Sequence, residues 1–366
     1  MKIFDALVAT GLLVSPAVAL DGELVTKDAF PFVVKIRAGY TKPAGSFTIC
    51  TATVLEPRLI LTAAHCISKP DRGTGGLDSF VPNISKDITI YYTDAGRQER
   101  TAKSKNTFYD RAFLSNFFKY TRIMPKQFNE EARAKFLKSL PPSEQEMVTK
   151  LSATYTVADV AYIVPDHRIE LKAYPRFIFD DFKPEQYLDG SGKGLTFSND
   201  KVLEITDAFL ESLPSPYTRV DATLVGFGLS RCTDKELPNT CVKDLKKRWT
   251  TLRLSYPLSW RWRSLYTGPN MTNKIADVEF PYLPPWVWVF TKKETDKWNP
   301  LNHGDSGGPV LISKNGEWIV YGVNSVIRKQ MSAHANPLHN PGLYQTVMSS
   351  DAYKSLERKG TAKIKP

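Results

Sequence analysis

Short runs of β-branched and aromatic residues, punctuated by glycine and proline, mark two stretches of this chain. The first holds FPFVVKIRAG, FTICTATVLEP and RLILTAAHC between residues 30 and 66, followed by DITIYYTDAG at 87–96. The second begins at residue 220 and holds VDATLVGFG, RWTTLRLSYP, PPWVWVFTK, GGPVLIS, GEWIVYGVNSV and PGLYQTV. Runs of this length between turn residues predict strands joined as hairpins. The pattern therefore predicts an all-β protein with two strand-rich halves.

Residues 97–152 break this rhythm. Within FNEEARAKFLKSL, residues Phe128, Ala132, Phe136 and Leu140 recur at a four-residue step, the stripe of one helix face. Asn129 offers a cap. Residues 97–150 carry twelve Lys and Arg against six Asp and Glu, so the segment is expected to be a basic helical insertion, packed as a surface lobe. Residues 176–215 are expected to be an extended connection between the halves, with VLEITDAFLESL as a short helix.

The start of the chain changes the picture of where it works. Lys2 precedes an apolar stretch that ends in Ala17-Val18-Ala19, the small-x-small pattern of a signal-peptidase site. Residues 1–19 are expected to be a signal peptide, and the protein to be secreted, with periplasmic and vacuolar compartments left open. No transmembrane segment is expected after its removal. Hydrophobic residues at 42% and charged residues at 24% suit a folded soluble protein and argue against disorder. The net charge of +11 is spread without a Lys/Arg-rich run, so no nucleic acid is expected as a partner. An even set of four cysteines, Cys50, Cys66, Cys232 and Cys241, behind a signal peptide predicts disulfides. Three connectivities are open, the local pairs being simplest, and the spacings are not those of metal ligands. Asn83 and Asn270 each open an Asn-x-Ser/Thr acceptor.

Candidate chemistry lies in two short motifs. Gly304-Asp305-Ser306-Gly307-Gly308-Pro309 surrounds a serine with residues that permit a tight turn. A serine hydroxyl needs a base to take its proton and backbone N–H groups to receive the charge that develops on an attacked carbonyl. Leu61-Thr62-Ala63-Ala64-His65-Cys66 sets a histidine directly after an apolar strand, where a base can be held. No dinucleotide fingerprint, phosphate loop or metal-ligand cluster accompanies them, so no cofactor and no metal are expected.

TAAHC followed by GDSGGP, in that order, resembles the paired signature of the chymotrypsin/trypsin-like serine proteases. The resemblance implies two six-stranded Greek-key β-barrels, roughly 20–175 and 216–350, within a peptidase domain of 20–360 that ends in a C-terminal helix near Asp351. It implies a catalytic triad of His65, Asp159 and Ser306, and an oxyanion hole from the N–H groups of Gly304 and Ser306. Asp159 lies in Thr156-Val157-Ala158-Asp159-Val160-Ala161, which resembles the family's aspartate motif. Asp94, Asp110 and Asp166 compete; Asp94 reads as a turn residue and Asp166 sits at a strand end. The separation of Cys50 and Cys66 resembles the disulfide that pins the histidine loop. Val225-Gly226-Phe227-Gly228 resembles the opening strand of the second barrel, Tyr321-Gly322-Val323-Asn324-Ser325 the strand along the substrate cleft, and Pro341-Gly342-Leu343-Tyr344 the strand behind the specificity pocket. The partners implied are a protein or peptide substrate and, in some settings, a protein inhibitor.

Two departures, in the pocket and at the chain start, qualify the match. Pro300 stands six residues before Ser306, where Lys/Arg-specific members carry an acid. Together with Ser325 and Ile327 it would line a pocket for small or apolar side chains. Asp305 is the residue that a new N-terminal amine pairs with in the family, and removal of the signal peptide near Ala19 would supply that amine directly. A catalytically silent protein that binds through the basic insertion is the alternative. An esterase of the α/β-hydrolase class is excluded by order, since that class runs Ser, acid, His along the chain.

Overall fold

The computed structural model describes residues 23–26, 29–40, 45–70, 82–111, 159–181, 221–229, 244–254, 303–327, 331–335 and 340–359, with shorter pieces at 114, 138–143, 145, 274–275, 278–279, 288–291, 301 and 337. The first half closes into a barrel of six strands. Strand β1 (Glu23–Leu24) precedes it, and the barrel itself comprises β2 (Val33–Tyr40), β3 (Ser46–Glu56), β4 (Leu59–Thr62), β7 (Asp87–Thr93), β8 (Glu99–Tyr109) and β9 (Ala161–Pro165). They pair in the order β2-β3-β4-β9-β8-β7, and β7 returns to β2. A side hairpin of β5 (Ser68–Pro70) and β6 (Pro82–Ile84) stands beside it.

Alternation explains β2, whose VVKIRAGY turns Val34, Ile36 and Ala38 inward and leaves Lys35 and Arg37 partly exposed. Leu59, Ile60, Leu61, Tyr162 and Ile163 are all fully or almost fully buried, because β4 and β9 are covered on both faces. Each such aliphatic side chain contributes about 1.5–3 kcal/mol by leaving water.

The second half is one sheet of eight strands. It contains β10 (Arg176–Phe177), β11 (Asp221–Gly226), β12 (Arg248–Leu254), β15 (Trp288–Thr291), β16 (Pro309–Lys314), β17 (Glu317–Ile327) and β18 (Met331–Ala335), joined by β1. Six of them follow one another as β12-β11-β16-β17-β18-β15, and β15 pairs back to β12, so the pairings close a second ring. A separate hairpin joins β13 (Lys274–Ile275) and β14 (Val278–Glu279). The fold is all-β, as the hydrophobic pattern predicts.

Four details differ from the sequence expectation. The helical insertion expected from residue 97 opens instead as β8, which pairs with both β7 and β9. Only Ala102 of β8 is buried, so its ERTAKSKNTFY carries almost no hydrophobic alternation. The helix stripe at Phe128–Phe136 lies outside the described residues, as does 182–220. Secondly, β1 leaves the first barrel and pairs with β12 of the second sheet, Leu24 facing Arg248. Thirdly, Pro341-Gly342-Leu343-Tyr344 is not a strand. After the short helix α1 (Ile178–Asp181), it opens helix α2 (Pro341–Ser349). Pro341 sits in the first turn, and the Asn340 side chain accepts a hydrogen bond from the Leu343 N–H at 3.0 Å, which caps the helix. Tyr344 then stacks on Phe179 at 4.8 Å between ring centres and meets Tyr162 at 5.8 Å, so the helix is fixed by aromatic packing on the first barrel. Lastly, the stretch between GEWIVYGVNSV and PGLYQTV, in which the hydrophobic pattern marks no strand, forms β18 and carries His334. The C-terminal helix α3 (Asp351–Lys359) follows as expected and docks through Tyr353, whose hydroxyl accepts from the Arg58 guanidinium at 2.9 Å and donates to Glu56.

Candidate active site

Strand β4 ends at Thr62, and the chain turns through a short 3₁₀ helix, Ala64–Ile67, that carries His65. A disulfide joins Cys50 on β3 to Cys66, with an S–S distance of 2.03 Å. The Ser68 hydroxyl donates to the Ala64 carbonyl at 2.9 Å, and the Tyr40 hydroxyl donates to the Cys66 carbonyl at 3.3 Å. The turn is thereby held on both sides of the imidazole.

Asp159, at the entrance to β9, is fully buried and receives three hydrogen bonds. The His65 backbone N–H donates to its Oδ1 at 2.9 Å, the His65 Nδ1 lies 2.6 Å from its Oδ2, and the Ser325 hydroxyl donates to the same Oδ2. A carboxylate can only accept, so Nδ1 carries the proton and Nε2 is left as the basic nitrogen. The other acids are engaged elsewhere. Asp94 accepts the Gln98 N–H at 2.9 Å and Arg100 Nε at 3.0 Å in an exposed turn. Asp166 pairs with His167 at 2.7 Å, and Asp110 accepts from the Asn340 side-chain amide at 3.5 Å.

Ser306 sits in a loop that both halves of the molecule grip. From the first barrel, the Thr51 N–H donates to the Ser306 carbonyl at 2.9 Å, and the Thr51 hydroxyl donates to the Gly304 carbonyl at 2.9 Å. From the second sheet, the Gly307 N–H donates to the Asn324 carbonyl at 2.7 Å, and the Asn324 N–H donates to the Gly308 carbonyl at 2.8 Å. Gly304 has φ +102° and Gly307 φ +82°, a region that costs other residues conformational energy. The His303 carbonyl accepts from the Leu229 N–H at 2.7 Å, so the N–H of Gly304, trans to it, points the other way. Asp305 is fully buried, with Oδ1 accepting the Gly228 N–H at 2.7 Å. A Cβ on Gly226 or Gly228 would come within 2.1 Å or 2.5 Å of that carboxylate, which explains the Gly-Phe-Gly spacing on β11 and its exit.

The same closeness joins the serine loop to the histidine turn. A Cβ on Gly307 would stand 2.2 Å from Thr62 Oγ1 and 2.3 Å from the Thr51 carbonyl oxygen. Gly307→Ala is therefore expected to lose at least about 3 kcal/mol of stability, from overlap with backbone added to a positive φ. Urea unfolding of the variant measures this.

Burial by itself would depress the His65 pKa, but the Asp159 carboxylate beside it outweighs that cost and raises it above the ordinary imidazole value. Burial likewise opposes the Asp159 charge, yet His65 and the three donors hold its carboxyl below the ordinary range. The His65 contribution to stability is thus present at low pH and lost as pH rises through its raised folded value. The Asp159 contribution is present at high pH and lost as pH falls through its depressed folded value. The pair is strongest between the two.

Residues 20–112 match the family model described as Trypsin, a stretch that holds β1 to β8, the disulfide and His65. Over that stretch the chain is similar to the trypsin family. No curated protein matches it. Among solved structures, one titled HL collagenase is 12% identical, with a TM-score of 0.46, over 90% of this chain and 98% of that one.

The remaining residues expected from the trypsin-like signature divide as follows. His65, Asp159, Gly304, Asp305, Ser306 and Ser325 converge where the barrel meets the second sheet. Ser325, expected as a substrate contact, spends its hydroxyl on Asp159. Pro300, Cys232 and Cys241 lie outside the described residues, and Ile327 is placed only as the last residue of β17. Cys50, His65 and Cys66 bring ligand-type atoms within 4.8 Å of one another, but both sulfurs are spent in the disulfide, so no thiolate is left there for a metal. The sequence reading missed Thr51, Asn324 and His334. Thr51 is distinguished only by its place after Cys50, and its hydroxyl bridges Gly304 and the Phe227 N–H, which it accepts at 3.0 Å.

Proposed function

We propose that this chain is a secreted serine endopeptidase that cleaves peptide bonds through Ser306, His65 and Asp159. The observation that carries the proposal is the buried Asp159 carboxylate fixed on Nδ1 of His65, beside a glycine-bracketed serine loop that packs against the histidine turn. Trypsin-like proteins are serine proteases, and the chemistry follows from the positions of these groups. Ser306 Oγ attacks the scissile carbonyl while Nε2 of His65 takes its proton. Asp159 stabilises the imidazolium. The developing oxyanion lies against the N–H groups of Gly304 and Ser306, each worth about 3 kcal/mol in the transition state. The imidazolium returns the proton to the leaving amine, and water repeats the sequence to release the acid.

Substrates are proteins or peptides, with small or apolar residues before the cleaved bond, because Pro300 replaces the acid that would draw Lys or Arg. Signal-peptide removal near Ala19 would free an amine for Asp305 without a separate activation cut. Sequencing the N-terminus of the secreted protein tests it: a start at 18–21 is expected, and a start well away from there contradicts it.

Incubating the secreted protein with a mixed peptide library, alongside Ser306→Ala, tests the peptidase assignment. New termini after small or apolar residues, absent with the variant, are expected. Equal patterns from the two proteins would contradict it. A pH profile of kcat/KM adds a second check. The neutral imidazole is the reactive form, so activity is expected to rise with pH at a midpoint above about 6.5. Asp159→Asn removes the charge that raises this value, so residual activity of that variant should show a lower midpoint.

A further inference from the structure

Asn324 does more than continue β17. Its backbone holds Gly307 and Gly308, the two residues after Ser306. Its side chain holds the residue before: Asn324 Nδ2 donates to the Asp305 carbonyl at 3.3 Å. All three contacts are buried beneath the loop, and Asn324 is only 1% exposed. The Gly308 N–H donates to the same Asp305 carbonyl at 3.0 Å.

The next link lies on β18. Asn324 and His334 are direct cross-strand partners, and His334 Nδ1 lies 2.8 Å from Asn324 Oδ1. The geometry sets every proton in this chain. A carbonyl only accepts, so the amide nitrogen of Asn324 faces Asp305 and its oxygen faces His334. His334 must then carry its proton on Nδ1. Its imidazole is completely buried, which holds its pKa down to about 3 and keeps it neutral. An apolar pair would pack β17 on β18 equally well, whereas two buried polar side chains cost free energy unless each finds its partner.

We propose that Asn324 and His334 form a positioning pair that aims the Ser306 N–H at the oxyanion. The Asp305–Ser306 peptide is planar and trans, so gripping the Asp305 carbonyl on one side fixes the direction of the Ser306 N–H on the other. His334 sets the rotamer of Asn324, and Asn324 sets the peptide. This rests on the peptidase reading, because the N–H so aimed is one of its two oxyanion donors.

The test compares wild type, Asn324→Leu with His334→Phe together, and His334→Gln, each by urea unfolding and by steady-state kinetics on one peptide. The double variant removes both polar groups and keeps the backbone bonds of residue 324. A kcat about tenfold below wild type is expected, with KM changed less than about twofold, since the affected bond strengthens only in the transition state. Glutamine can still donate to Asn324 Oδ1 and is expected to keep kcat within about threefold of wild type. A double variant that matches wild-type kcat overturns the pair's role while leaving the peptidase reading intact. Wild type that neither cleaves peptide nor reacts with a fluorophosphonate overturns the peptidase reading and this role with it. NMR of nitrogen-labelled histidines in the wild-type protein gives a reading that needs no variant to fold. His334 is expected as the neutral Nδ1–H form at pH 5 to 7; an Nε2–H form or a charged ring contradicts the pair.

Discussion

Ser306→Ala is expected to lower peptide turnover about 10⁶-fold, with the fold retained. The size of the loss follows from how the site is built. The loop is held by its backbone: Thr51 binds the Ser306 and Gly304 carbonyls, and Asn324 binds Gly307 and Gly308. None of those bonds uses the Ser306 hydroxyl, so alanine can occupy the same turn without strain. What disappears is the group proposed to form the covalent bond, and without that hydroxyl the His65–Asp159 pair has no nucleophile to deprotonate and no acyl-enzyme to resolve. Residual turnover would come from the oxyanion donors and substrate binding alone. Comparing kcat and the urea midpoint of the variant with wild type measures both halves of the expectation. A variant with substantial turnover would remove Ser306 from the chemistry.

The second large effect is expected at Asp159. Asp159→Asn should lower kcat about 10⁴-fold, with KM little changed, the scale set by a wrong histidine tautomer in triads of this kind. Asp159 accepts from the His65 N–H, from His65 Nδ1 and from the Ser325 hydroxyl. An asparagine side chain has one accepting oxygen and one donating nitrogen. With its oxygen kept on the backbone N–H of His65, its nitrogen faces Nδ1 and drives the ring proton to Nε2. The nitrogen that should take the Ser306 proton is then already occupied. Buried asparagine also lacks the charge that stabilises the imidazolium formed during reaction. Steady-state kinetics gives the loss, and NMR of the His65 ring gives its cause. A variant with unchanged kcat and an unchanged His65 tautomer would contradict the assignment of Asp159.

The sequence reveals the fold where one side of a strand is buried and the other is not. Strand β2 announces itself that way, β3 and β4 do so as short runs buried on both faces, and the glycines and prolines around them mark the turns. Strand β8 does not, because Ala102 is its one fully buried side chain and its remaining residues suit solvent or a helix equally. The helix α2 was hidden for the opposite reason. Pro-Gly reads as a turn and Leu-Tyr-Gln-Thr-Val as a strand, whereas the Asn340 cap and the packing of Tyr344 on Phe179 decide the outcome. The cap is a local signal that the turn reading overrode, whereas the aromatic packing is a tertiary fact that no local pattern carries.

The candidate site divides along the same line. His65 and Ser306 lie in local motifs whose glycines and strand ends state their purpose. Asp159 is legible through the apolar strand that follows it, β9. Thr51, Asn324 and His334 are ordinary strand residues until folded. The partner of the Thr51 hydroxyl is 253 residues away along the chain, and Asn324 meets Asp305 across 19. The role of Thr51 comes from the meeting of the two halves, and those of Asn324 and His334 from strand pairing within the second.

The central claim is that this protein carries an activated serine. The most direct measurement treats purified protein that begins near Ala19 with a fluorophosphonate probe and locates the adduct by mass spectrometry, with Ser306→Ala and Asp159→Asn alongside. One adduct on Ser306 is expected in wild type, none in Ser306→Ala, and a strongly slowed reaction in Asp159→Asn. Folded wild-type protein, cut near Ala19 and bearing no adduct, would contradict the account.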